Sequence, residues 1–259
     1  MSDSVADSVT RAAGGPSFLL LFAALLFGGW TFYLFVAGLS YLTFFRWGRR
    51  RFHPDYRADA AENKKAIAWA LISLAGNAVL TAPFHWAIAR GHTRVYFDVA
   101  ERGWAWLAAS VVLYLVVTET LIYWIHRALH HPLVFRALHG KHHEFRLPTP
   151  LVSVSFHPLD SFLQALPHHL CVFLFPVHLG VYGSFLVFVT VWAVLIHDRL
   201  TWLPFWLVNY TGHHTAHHLH VRCNYGQFFT LWDRIAGTYR SPADLSPDAN
   251  PVVWGSRPG

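Results

Sequence analysis

Between Ser17 and Phe45 the chain carries no charged residue. About 20 consecutive apolar residues suffice to cross a bilayer. The stretch is therefore long enough to span one, and too long for the apolar core of a cleaved signal peptide. Ala66–Ala89 and Gly103–Ile125 are two further stretches of the same kind. A fourth, Phe162 to Ile196, is interrupted by Pro167, His168, His169, Pro176 and His178. Such interruptions are tolerated at membrane depth only inside protein or beside a cavity, so this stretch reads as a hairpin or partly embedded segment plus one full span. Composition agrees: of 259 residues 54% are hydrophobic and 13% charged, against about 25% charged in soluble domains. The expected fold is all-α, an integral membrane helical bundle of about four spans plus the embedded segment. It occupies residues 17–240 as a single domain, between a mobile tail at 1–16 and a polar tail at 241–259.

Orientation follows from charge. Arg46, Arg49, Arg50, Arg51, Arg57, Lys64 and Lys65 crowd one loop, which the positive-inside rule assigns to the cytoplasm. The loop at 90–102 then lies outside, and the third span returns to the cytoplasmic face. There the chain delivers His126, His130, His131, His139, His142 and His143, and later His213, His214, His217, His218 and His220. Residues three and four apart share a helix face, so each cluster is expected to gather imidazoles on one side, as a histidine-rich metal-binding cap on the cytoplasmic face. Imidazole is a natural ligand for zinc, copper, iron and nickel. Two cysteines, Cys171 and Cys223, provide neither a disulfide framework nor a thiolate zinc site.

A structural zinc ion is saturated by four ligands, and this chain presents at least twice that number. A nitrogen-rich pair of redox-capable ions beside a membrane points to oxygen activation on a lipid. Iron is the expected working metal, and zinc, which binds such sites more tightly than iron(II), can replace it on purification. Glu119 lies within the third span, seven residues before His126. Two readings stand for it: a carboxylate that orients a ligating imidazole, or one that reaches water near the interface. Asp160 and Asp198 carry the same pair of readings.

The spacings His126-x3-His130, His139-x2-His142-His143 and His214-x2-His217-His218 resemble the three histidine boxes of the fatty acid hydroxylase and sterol desaturase superfamily. Tyr123 to Arg127, Pro148 to Pro150, Phe156 to Asp160, Ile196 to Asp198 and Asn224 to Arg234 are similar to sterol C5-desaturases, also called lathosterol oxidases. The likeness covers about residues 115 to 240. It implies a di-iron, O2-dependent enzyme forming a C5–C6 double bond in a Δ7-sterol. The implied metal ligands are His126, His130, His139, His142, His143, His214, His217 and His218, with His197 as the lone histidine between boxes. Hydroxylases of the superfamily often carry a second histidine four residues before it, where Ala193 stands here. With no haem or flavin domain in this chain, electrons are expected from a separate donor of cytochrome b5 or ferredoxin type.

Three other classes bear on the same sequence. A hydroxylase acting on a sterol methyl, a fatty acyl chain or a carotenoid would use the same histidines. Metal transport needs ligands along a path through the bilayer, whereas these gather at one face. Scattered basic residues without a stripe argue against nucleic acid. Arginine outnumbers lysine and there is one methionine, the coding bias of a GC-rich bacterial gene. The expected home is therefore a bacterial inner membrane, or the endoplasmic reticulum in a eukaryotic host.

Overall fold

The computed structural model describes residues 16–202 and 204–245, and the backbone of Val252–Val253. The expected tail at 1–16, apart from Pro16, and most of 246–259 lie outside the described residues. Nine α-helices occur among the described residues: α1 Phe18–Ser40, α2 Arg49–Phe52, α3 Ala60–Ala89, α4 Gly103–Leu129, α5 Pro132–Phe135, α6 Pro158–Leu174, α7 Leu179–His197, α8 Thr211–His220 and α9 Leu231–Ile235. Helix α1 runs on through π-helical turns at Tyr41–Trp47. Four helical stretches are long and apolar enough to cross a membrane: Phe18–Trp47, α3, α4 and α7. The chain is thus an all-α, multi-pass membrane bundle.

Capping sets where the spans start. Asp59 Oδ1 accepts the N–H groups of Ala61 and Glu62 at 2.8 and 3.1 Å, which starts α3 six residues ahead of the apolar stretch. The interrupted stretch resolves into α6 and α7. His157 and His178 cap them through Nδ1, accepting from Leu159 N–H at 3.2 Å and Gly180 N–H at 3.1 Å. His131 caps α5 in the same way. These three imidazoles start helices and stand apart from the metal-ligand candidates. Between α6 and α7 the short strand Val177–His178 pairs in parallel with Val95–Tyr96, which ties together the helix ends away from the histidines.

The strands that follow α3 and α6 pair with each other at one end of the bundle, and the C-terminal ends of α4 and α7 meet at the other, the histidine-bearing face. Close approach of α3 to α6 depends on Gly76, where a Cβ would collide with Pro158. At the opposite end Tyr114, Cys171, Val172, Phe175, Val177 and Tyr182 form an apolar core. Near the histidine face Ala66, Phe145, Leu151 and Val152 form another. Past the expected boundary at 240, Pro242 still packs against Gly212 of α8, and Val252–Val253 pairs in parallel with Leu200–Thr201.

Candidate metal centre

Helix α4 continues four residues beyond Ile125, so it carries His126 on its last turn and ends with His130 as its cap. The segment holding His139, His142 and His143 is a run of turns ending in a short 3-10 helix at His142–Glu144. The expectation of one shared helix face for these three therefore fails. Pro132 and the Phe135–Gly140 turn, closed by Gly140 N–H on the Phe135 carbonyl at 2.6 Å, break any continuous helix. Helix α8 presents His214, His217 and His218 within one turn, and His197 ends α7.

These elements sort the imidazoles into two groups. His126, His130, His139, His143 and His217 each offer a nitrogen within 4.8 Å of the others, and so do His142, His197, His214 and His218. All nine residues expected as ligands fall in one group or the other. Two of the three histidine boxes are divided between groups: His142 parts from His139 and His143, and His217 parts from His214 and His218, while His126 and His130 stay together. His131, His213 and His220 belong to neither group.

Outward contacts fix the ring tautomers. His126 Nδ1–H donates to the Tyr225 carbonyl at 2.8 Å and His139 Nδ1–H to Asp160 Oδ2 at 2.7 Å. His217 Nδ1–H donates to the Cys223 carbonyl at 2.7 Å, His218 Nδ1–H to Phe145 at 2.9 Å and His197 Nδ1–H to Ala193 at 2.5 Å. In each of these rings the Nε2 lone pair is left facing inward. His126 and His139 then point two bare Nε2 acceptors at each other across 3.2 Å. In the second group Nε2 pairs stand 2.9 Å (His197–His214), 3.2 Å (His214–His218) and 3.3 Å (His142–His197) apart. Facing lone pairs repel unless a cation lies between them. Metal–nitrogen bonds of about 2.0–2.1 Å separate neighbouring ligand atoms by roughly 2.8–3.4 Å, which is the spacing found. His217 Nε2 and both ring nitrogens of His130 and of His143 are buried without a partner. The donor set fits two metal ions.

Burial, and then the neighbouring imidazoles, lower the pKa values of His130, His142, His143, His214, His217 and His218 well below the ordinary histidine range. Neutral rings keep their lone pairs for a metal.

The three carboxylates fare differently. Asp160, on the first turn of α6, orients His139. Asp198 instead accepts the Leu200 N–H at 2.8 Å and Trp202 Nε1–H at 3.0 Å, and burial raises its pKa well above the usual carboxylate range. Among the described residues no imidazole bonds to Glu119, so of its two readings the orienting one finds no ring here. Seven residues of α4 separate it from His126 by about 10 Å along the axis, beyond a side chain's reach. Its Oε2 accepts the backbone N–H groups of Phe228 and Phe229 at 3.2 and 2.8 Å. Asp233 pins the same loop through Tyr225 N–H and Gly226 N–H, both at 2.8 Å. Together they hold the loop whose Tyr225 carbonyl orients His126. Sequence reasoning missed Asp233 and the carbonyl acceptors, since a backbone carbonyl leaves no mark in the sequence.

A cavity of about 290 Å³ opens between α1, α3, α6 and α7. His126 of the first group and His197 and His214 of the second line one end of it, with Ile122, Phe156, Val189 and Ile196 among the apolar walls.

Residues 111–238 match the family model described as Fatty acid hydroxylase. Lathosterol oxidase of Mus musculus is 40% identical over 223 residues, covering 84% of this chain and 74% of the relative. The Homo sapiens lathosterol oxidase is 38% identical with the same coverage. The Delta(7)-sterol 5(6)-desaturase of Gibberella zeae is 37% identical over 230 residues, covering 87% and 69%. The chain belongs to the fatty acid hydroxylase family. No solved structure matches it. The nine clustered histidines all lie within the matched span, so family membership and the paired nitrogen groups concern the same part of the molecule.

Proposed function

We propose that this chain is a membrane oxidoreductase that uses O2 and two iron ions to introduce a C5–C6 double bond into a Δ7-sterol. The observation that carries this reading is the shared cavity, in which imidazoles of both groups border one apolar space between the helices. The printed names of the relatives, lathosterol oxidase and Delta(7)-sterol 5(6)-desaturase, support the same substrate class.

His126, His130, His139, His143 and His217 would hold one ion, and His142, His197, His214 and His218 the other. When bound, the metal pair supplies reduction of O2 and removal of two hydrogens from adjacent carbons. In balance, the two hydrogens leave the sterol, two electrons and two protons arrive from a separate donor, and O2 ends as two waters. The residues of the chain do the rest. Carbonyl and carboxylate acceptors hold the rings of His126, His139, His197, His217 and His218 at their working angles, and apolar walls exclude water. The cavity would hold the lipid between the helices, with one end at the histidines. Desaturation in place of hydroxylation then depends on the second hydrogen lying within reach on the neighbouring carbon.

The arginine-rich loop supports a cytoplasmic histidine face. Cysteines introduced at Arg57 and Arg94 should label from opposite sides of the membrane, and labelling from one side would reverse that assignment. The deciding experiment is expression with a Δ7-sterol source and mass spectrometry of the lipids. A Δ5,7-diene is expected, whereas a product that gains oxygen would make the chain a hydroxylase.

A further inference from the structure

The cavity has a second end, and it is not apolar. His85 on α3 and His168 and His169 on α6 line it. Tyr114, which bonds to His168, lies twelve residues before His126 on α4, about 18 Å along the axis. His168 is 4% exposed. The Tyr114 hydroxyl donates to the His168 carbonyl at 3.2 Å and also stands 3.2 Å from His168 Nδ1. A hydroxyl has one proton. With that proton on the carbonyl, Nδ1–H is the donor to the Tyr114 oxygen and Nε2 is a bare acceptor. That Nε2 is buried with no partner. Tyr114 is fixed by stacking on Phe185 at 4.4 Å. His169 is held through Nδ1 by the Tyr182 hydroxyl at 2.7 Å, and its ring lies 5.2 Å from that of His85.

A built acceptor at the far end of a lipid cavity asks for a donor. With C5 and C6 at the paired histidine groups, the 3-hydroxyl of a Δ7-sterol is three bonds from C5 and stays at the metal end. The side chain on C17 then extends toward His168. A hydrocarbon tail would leave Nε2 buried and unpaired, which is costly, whereas a hydroxyl there would pair with it. We propose that this inner end is a hydroxyl-binding subsite, with His168 Nε2 as acceptor, and that the chain selects Δ7-sterols already hydroxylated near the end of the side chain. The inference rests on the desaturase reading, which sets the direction in which the sterol lies. It also places an oxygenation of the sterol side chain upstream of this enzyme.

The test uses the metal-loaded full chain in lipid nanodiscs. Binding is titrated with lathosterol and with a lathosterol derivative hydroxylated at the end of its side chain, and the products of both are identified. The hydroxylated sterol should bind at least tenfold more tightly, equivalent to about 1.4 kcal/mol. His168→Leu should bring the two sterols to equal affinity, and His168→Gln, which keeps an acceptor in place, should retain part of the preference. Equal affinity in the wild type would overturn the subsite, as would a preference that survives His168→Leu. A product oxidised on the side chain would also overturn it, because the sterol would then lie the other way round. A His168-dependent preference with no diene from either sterol would uphold the subsite and sink the desaturase reading.

Discussion

Two histidine groups a few ångströms apart are built on different principles. Behind the five-histidine group stands a buried carboxylate, Asp160, bonded to His139 at 2.7 Å. Among the described residues, no carboxylate is bonded to a ring of the four-histidine group, where the acceptors are the Ala193 and Phe145 carbonyls. A carboxylate partner makes an imidazole a stronger ligand and holds its orientation. The larger group therefore resembles a closed site. The smaller one has fewer ligands and places two of its four rings, His197 and His214, on the cavity, against one of five, His126, from the larger, as a site with room for a further ligand would.

The largest expected effect comes from deleting one ring in each group. His217→Ala and His142→Ala should each lower turnover by more than about a hundredfold, since loss of an outer partner alone typically costs about 10–100-fold. Metal analysis should separate them. His142→Ala leaves three rings and should lose its ion outright, while His217→Ala leaves four and should keep partial occupancy. Equal metal loss in the two variants would erase the proposed difference. His92→Ala, in the loop at the opposite end, should retain both ions.

Removing all metal with a chelator and adding it back probes the same asymmetry with the wild-type chain. Two binding steps are expected, the tighter belonging to the Asp160-backed group, and thermal stability should rise with each step because the ions bind only the folded state. Refilling in a single step with two equivalent ions would make the groups alike.

Asp160→Asn should act on one group only. The amide is uncharged and can still accept from His139, so a loss of about 10–100-fold in metal affinity is expected for the first ion. The second ion should be unaffected. If both ions weaken together, Asp160 acts on the whole cap through α6, and its contact with His139 is not the cause.

Much of this was open to reading in the sequence, for reasons that also mark its limits. Charge-free length reveals a span whatever it packs against, so Phe18–Trp47, α3 and α4 lie where the hydropathy put them. Close spacing reveals that histidines gather, so all nine expected ligands converge. The division of the second box between groups was hidden, because it depends on turns at 135–144 that repeat no period. Even α8 splits its own box, sending His217 one way and His214 and His218 the other. The acceptors that orient the rings are mostly carbonyls of Phe145, Ala193, Cys223 and Tyr225, and every residue has a carbonyl. The partners of Glu119 were hidden for a related reason: periodicity along one helix cannot show a loop from 110 residues further on coming in to take its carboxylate.

Glu119 carries the smallest expected effect, and it tests how far the first group depends on its surroundings. Its Oε2 takes two backbone N–H groups of the loop whose Tyr225 carbonyl orients His126. Glu119→Ala leaves both partly buried N–H groups unpaired, at a cost of at most about 1–3 kcal/mol each, and should lower the melting temperature measurably. Asp233 still holds Tyr225 and Gly226 from the other side, so the loop should shift without coming away, and turnover should fall only a few-fold. Glu119→Gln keeps a carbonyl oxygen at the same reach and should lie close to wild type in stability. Metal content should stay at two ions in both variants, because no ring loses its partner. A carboxylate bonded to a ligating ring would behave differently: metal would leave in step with activity, and Glu119→Ala would match Asp160→Asn. Measuring metal and melting temperature on the same samples therefore separates a carboxylate that holds a loop from one that holds a ligand.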